Sequence, residues 1–217
     1  MFDAILFDLD NTLYTEKCGI FDLIDQRMND WLISRLQVPE NEVNEFRHKY
    51  FMKYGTTLRG LMLHHDVDPH DFLHYVHDVP VHEFLSADVE LRRALGSIES
   101  RKVVFTNSDL RHATRILTAL GIQDLFERIF DIEAMRFIPK PNPEAYQSVL
   151  DYLQLEPRRC LLIDDMERNL TPARELGMRA ILIGDGTPVN DDIHVITNIK
   201  DLNGALARLM ATGGSTS

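Results

Sequence analysis

At 217 residues and 44% apolar content, the chain can bury one sizeable core with room for a smaller accessory module. Lys plus Arg at 23 against Asp plus Glu at 34 give a formal net charge of −11, which disfavours nucleic-acid backbone and anionic membrane as partners. The only cysteines, Cys18 and Cys160, lie far apart and do not make a disulfide framework, and no run approaches the roughly 18 apolar residues of a membrane span. With Asp3, Asp8 and Asp10 at its start the chain shows no signal peptide, so a reduced cytoplasmic setting is expected.

The first element is the apolar run Ala4 to Phe7, a strand covered on both faces, which ends at Asp8-Leu9-Asp10-Asn11-Thr12-Leu13-Tyr14. From about Gly19 to Phe84 the pattern turns wholly helical. Phe21, Ile24, Met28 and Leu32 recur in one segment, and Val43, Phe46, Tyr50 and Tyr54 follow Pro39. Shorter helices are predicted around Leu58 to Met62 and, after Asp68-Pro69, around Phe72 to Val76. Lys102 to Phe105 is a second strand, ending at Thr106-Asn107-Ser108 before a helix marked by Ala113, Ile116, Leu117 and Leu120 and closed at Gly121. Prolines 139, 141 and 143 stiffen the chain around Lys140, and Asn142-Pro143 opens a further helix carrying Tyr146, Val149, Leu150 and Leu153.

Cys160 to Ile163 is another buried strand that delivers Asp164-Asp165 into a loop, followed by a helix through Leu170, Ala173 and Leu176 with Gly177 as its stop. Met178 to Ile183 supplies a strand, Gly184-Asp185-Gly186 a turn, His194 to Thr197 a short edge strand, and Leu202 to Leu209 a closing helix. The alternation predicts an α/β fold with a doubly wound parallel sheet and an inserted all-helical cap. The expected division is a discontinuous core over 1–16 and 87–211, a cap over 17–86 and a disordered tail over 212–217.

Ligands bind beyond the carboxyl ends of strands in such sheets, so four acids, a lysine and a hydroxyl are expected on one edge. Mutually repelling carboxylates gathered there need a cation to offset them. With these residues in view, the sequence resembles a haloacid-dehalogenase superfamily phosphohydrolase over its whole length. Asp8 to Leu13 matches that superfamily's first motif, Thr106-Asn107-Ser108 its second, Lys140-Pro141 its third and Asp164-Asp165 its fourth. The resemblance implies a Rossmann-like core, Asp8 as nucleophile, Asp10 as general acid and base, and Thr106, Asn107 and Lys140 as phosphate-binding residues. It also implies a Mg²⁺ ion held by Asp8, the Asp10 carbonyl and Asp165, with support from Asp164. Attack by Asp8 would give an aspartyl-phosphate, and Asp10 would need to be protonated at that step, its pKa raised by neighbouring carboxylate charge.

Substrate choice is expected in the cap. The segment Tyr54 to Leu61 resembles the cap signature of the pyrimidine 5′-nucleotidase branch, which implies a nucleoside monophosphate as the small phosphorylated substrate, contacted by Phe21, Tyr54, Thr56, Thr57 and Arg59. A plainer reading makes Thr56 or Thr57 a helix N-cap. Phosphoglycolate or a sugar phosphate, a phosphomutase and a non-catalytic binding protein are the alternatives; a dehalogenase would lack the acid at Asp10. A monomer is favoured. His64, His65, His70, His74, His77 and His82 are expected to form a solvated face, and Trp31 to sit in the cap core.

Overall fold

A computed structural model describes residues 2–186 and 193–212. The strands are β1 (Ala4–Phe7), β2 (Arg101–Phe105), β3 (Arg128–Phe130), β4 (Cys160–Asp164), β5 (Arg179–Ile183) and β6 (His194–Ile196). The helices are α1 (Ile20–Leu36), α2 (Val43–Tyr54), α3 (Thr57–His64), α4 (Pro69–Val76), α5 (Val81–Phe84), α6 (Val89–Gly96), α7 (Leu110–Leu120), α8 (Pro143–Leu153), α9 (Glu167–Glu175) and α10 (Leu202–Thr212).

The strands form one parallel sheet in the order β3-β2-β1-β4-β5-β6. Its strand order reverses at β1, which places a crevice beyond the ends of β1 and its neighbours. All four residues of β1 are fully buried, as expected of a central strand with helices on both faces. The register pairs Phe7 with Ile163 and with Val104, so Asp8, one residue on, stands level with Asp164. The sequence reading matches each of β1, β2, β4, β5 and β6 closely but omits β3 and α6. Strand β3 has only three residues and begins with an exposed Arg128, so it carries no apolar run to see. Helix α6 is capped by Asp88, whose carboxylate accepts from the Glu90 and Leu91 amides.

Helices α1 to α5 are inserted between β1 and β2. Trp31 is buried there as expected, edge-on to Phe72 at 5.1 Å, with its indole nitrogen donating to Asp71. The ring of Tyr50 lies directly over Gly60, where only a glycine lets α2 and α3 approach so closely. Several contacts among the described residues seat these helices on the rest of the chain. Arg168 of α9 lies over the Phe51 ring at 4.5 Å and donates to the Phe51 carbonyl. Arg115 of α7 donates to the His77 and Val79 carbonyls. Gly55, at φ +90, packs so tightly on the Lys140 carbonyl that an added Cβ would lie 2.7 Å from its oxygen.

Two expectations change. His64, His65, His70, His74 and His82 are exposed as expected, but His77 is buried and hydrogen-bonded to Asp109, and the pairing compensates the loss of water around its ring. Thr212 ends helix α10, and residues 213–217 of the expected tail lie outside the described residues.

Candidate active site

The Asp8 amide donates to the Ile163 carbonyl and the Thr106 amide to the Phe130 carbonyl, so both residues extend the sheet's hydrogen bonding by one step beyond β1 and β2. Lys140, on the proline-stiffened loop before α8, is 1% exposed and reaches both Asp8 and Asp164 at 2.7 Å. Its backbone is held by Asn107, whose amide oxygen accepts from the Lys140 amide at 2.8 Å and whose amide nitrogen donates to the Lys140 carbonyl at 3.1 Å. Asn107 thus has a visible structural task, which is to fix the lysine loop against the end of β2. The Thr106 hydroxyl accepts from the Ser108 amide, an arrangement that tightens the turn into α7.

Ligand oxygens of Asp8, Asp164 and Asp165 lie within 4.8 Å of one another. Burial pushes Asp8 up to about 7, with the Asp164 and Asp10 charges adding to the shift and Lys140 opposing it. Burial and the charges of Asp8 and Asp164 likewise push Asp165 up to about 8. Burial disfavours the Lys140 charge, but the two carboxylates hold its pKa above the ordinary lysine range. One lysine therefore does not neutralise three acids. An all-oxygen donor set short of positive charge suits a hard divalent cation such as Mg²⁺. Asp164 and Asp165 differ in how free they are. Asp164 accepts from Lys140, the Met166 amide and Asn169, whereas the Asp165 carboxylate accepts from no other described residue's side chain. Asp165 is thus the freer ligand and Asp164 the anchored one.

Asp10 occupies a different environment. Its Oδ1 accepts from the Tyr14 hydroxyl at 2.6 Å and lies 2.9 Å from His112 Nε2, and its Oδ2 accepts from the Ser108 hydroxyl at 2.6 Å. Burial alone would raise its pKa, but His112 and the hydrogen bonds from Ser108 and Tyr14 hold it well below the usual carboxylate range. This corrects the expectation that neighbouring acids raise it, because donors to the charged form outweigh the more distant carboxylates. Tyr14, Ser108, His112 and Asn169 received no role from the sequence. A signal for His112 existed: it precedes Ile116 by four residues, so a polar side chain sits within the apolar stripe of α7.

The residues expected to choose the substrate have local partners within the inserted helices. Tyr54 meets His64 through its hydroxyl and Tyr50 edge-on at 5.8 Å. Thr56 caps α3 by accepting from the Arg59 amide, and Thr57 is buried. The side chains of Phe21 and Arg59 are partly buried and make no ion pair or ring contact among the described residues.

Fold and site together define a parallel α/β enzyme with a paired-carboxylate centre at the switch point of its sheet. The chain belongs to the haloacid dehalogenase-like hydrolase family, whose model matches residues 2–177. It is 30% identical over 196 residues to Phosphate metabolism protein 8 of Saccharomyces cerevisiae, covering 82% of this chain and 60% of that protein's length. It is also 30% identical over 95 residues to Beta-phosphoglucomutase of Bacillus subtilis, covering 44% of this chain and 42% of the enzyme. Among solved structures, the HAD-hydrolase YfnB of Bacillus subtilis, bound to magnesium, superposes with a TM-score of 0.63 at 15% identity, over 94% of this chain and 98% of that one. A 2-haloacid dehalogenase from Pseudomonas syringae gives 0.61 at 22% identity, over 96% of this chain and all of the other. Among the described residues no helix is long and apolar enough to cross a membrane.

Proposed function

We propose that the protein is a Mg²⁺-dependent phosphomonoesterase that releases phosphate from a nucleoside 5′-monophosphate. The observation that carries this reading is the contrast between the carboxylates of Asp8 and Asp10, two residues apart at the end of β1. Asp8 faces Lys140 and two further acids, while Asp10 is gripped by three hydrogen-bond donors and pairs with no lysine among the described residues. Two acids in opposed environments take separate roles. In the first step an Asp8 oxygen attacks phosphorus, the ester P–O bond breaks, and Asp10 gives its proton to the departing alkoxide. In the second, water attacks the phosphoryl group and gives its proton to Asp10 as the bond to Asp8 breaks. Asp10 is ready for the second step as it stands; a phosphoryl dianion seated beside it raises its proton affinity for the first. Lys140 screens the phosphoryl oxygens, and Thr106 and Asn107 complete the cradle. A Mg²⁺ ion held by Asp8, Asp165 and the Asp10 carbonyl, and supported by Asp164, would neutralise charge on the same oxygens.

Helices α1 to α5 serve in this reading as a cap that excludes water and selects the leaving group, with Phe21, Tyr54, Thr56, Thr57 and Arg59 on the substrate side. The similarity to a phosphoglucomutase favours a sugar phosphate as the second reading. The test is phosphate release, with and without Mg²⁺, from UMP, CMP, dTMP, AMP, GMP, phosphoglycolate and several sugar phosphates. Preference for the nucleotides supports the proposal. Activity confined to the other esters removes the nucleotide assignment, and intramolecular transfer on a sugar without release identifies a mutase.

A further inference from the structure

A carboxylate offers about four lone-pair directions, two on each oxygen. Asp10 Oδ1 takes the Tyr14 hydroxyl and His112 Nε2 and is saturated, whereas among the described residues Oδ2 takes only Ser108. Proton exchange with a substrate is therefore left to Oδ2. What keeps Oδ1 turned inward is His112, which is fully buried and whose ring is not anchored through its other nitrogen: among the described residues Nδ1 has no hydrogen-bond partner. The ring is held instead by stacking, with His77 lying against it at a centroid distance of 4.4 Å and an interplanar angle of 17°. Asp109 secures both histidines, one oxygen accepting from the His112 amide and the other lying 2.7 Å from His77 Nδ1. Arg115 adds its grip on the His77 carbonyl at 2.9 Å.

We propose that His112 is a positioning residue that holds Asp10 with Oδ2 presented to the leaving group, and that His77, contributed by the inserted helices, holds His112. Seating of the inserted helices on α7 then sets the orientation of the acid and base. This rests on the reading of Asp10 as the group that protonates the departing alkoxide as its P–O bond breaks. A misdirected Asp10 slows expulsion of a poor leaving group but not of one that departs without a proton. The discriminating quantity is kcat/KM for an alkyl phosphate, for which the best nucleotide or sugar phosphate of the panel serves, against p-nitrophenyl phosphate. This constant reports the steps up to leaving-group departure.

His112→Gln, whose amide reaches the place of Nε2, should keep the wild-type ratio within about 3-fold. His112→Asn, whose amide is too short to reach Asp10, should lose about 10- to 100-fold on the alkyl ester and less than about 3-fold on the aryl ester, the order expected for a catalytic group displaced by an ångström. Should the asparagine variant fail to fold in a thermal melt, His77→Leu, with the stack and its Asp109 bond removed, should show the same selective loss at smaller amplitude. Equal losses on both esters in these variants overturn the proposal. Asp10→Asn separates the two levels of the argument. If it loses the alkyl ester selectively while the histidine variants do not, only the positioning role falls; if it keeps the wild-type ratio, the assignment of Asp10 falls, and the proposal with it.

Discussion

Replacing Lys140 with methionine removes the one cation that, among the described residues, touches Asp8 and Asp164, while keeping the length of the apolar stem. Breaking a buried ion pair by deleting one partner typically costs about 3–5 kcal/mol, because a charge is left uncompensated. Here the loss should be about 3 kcal/mol at pH 8, since Asp8 and Asp165 can take up protons in compensation. The sign with pH follows from their shifts. Both carboxyls are raised, to about 7 and about 8, so the folded state binds more protons than the unfolded one between roughly pH 4 and 8, and stability falls as pH rises through that window. Without the lysine these shifts grow, and the deficit relative to wild type should shrink to about 1 kcal/mol at pH 5. Thermal melts in EDTA at pH 5 and pH 8 measure this directly, at about 2–4 °C per kcal/mol for a chain of this size. Melting temperatures equal to wild type at pH 8, or a deficit that widens on acidification, would refute the account of Lys140 as the charge that holds the acids together.

Asp8→Asn should abolish phosphate release while leaving the circular dichroism and cooperative melt intact, because the amide is nearly isosteric but a poor nucleophile. EDTA should suppress turnover and Mg²⁺ restore it, and Mg²⁺ at about 100 times its Kd should raise unfolding stability by about 2.7 kcal/mol, as seen in urea titrations. Gly60→Ala places a Cβ 2.5 Å from the Tyr50 ring, so despite better helix propensity it should cost about 1–3 kcal/mol by the same titration. Gly55→Ala combines a strained φ with a clash against the Lys140 carbonyl; kcat/KM should drop at least about 10-fold because the lysine is displaced.

Much of the architecture was legible in residue order. The run Ala4 to Phe7 is a strand because four apolar residues between charges suit a doubly covered position, and Asn142-Pro143 starts a helix because the side chain caps and the ring fits the first turn. These are local signals, and so are the acids that follow β1 and end β4 and the proline-flanked lysine before α8. Strand β3 escaped because it gains its pairing from β2 rather than from its own composition. The environment of each acid was decided only by the fold. Asp10 is joined to His112 across 102 residues, and His112 is backed by a histidine from the inserted helices. No periodicity encodes such a meeting, since it depends on which helix packs where once the sheet has formed. Local patterns place charged groups at a strand end, but their proton affinities depend on burial and on hydrogen-bond partners brought from elsewhere in the chain. The sequence by itself therefore determined which residues reach the sheet edge, and the tertiary structure decided that Asp8 is pushed up by burial while Asp10 is held down by its donors.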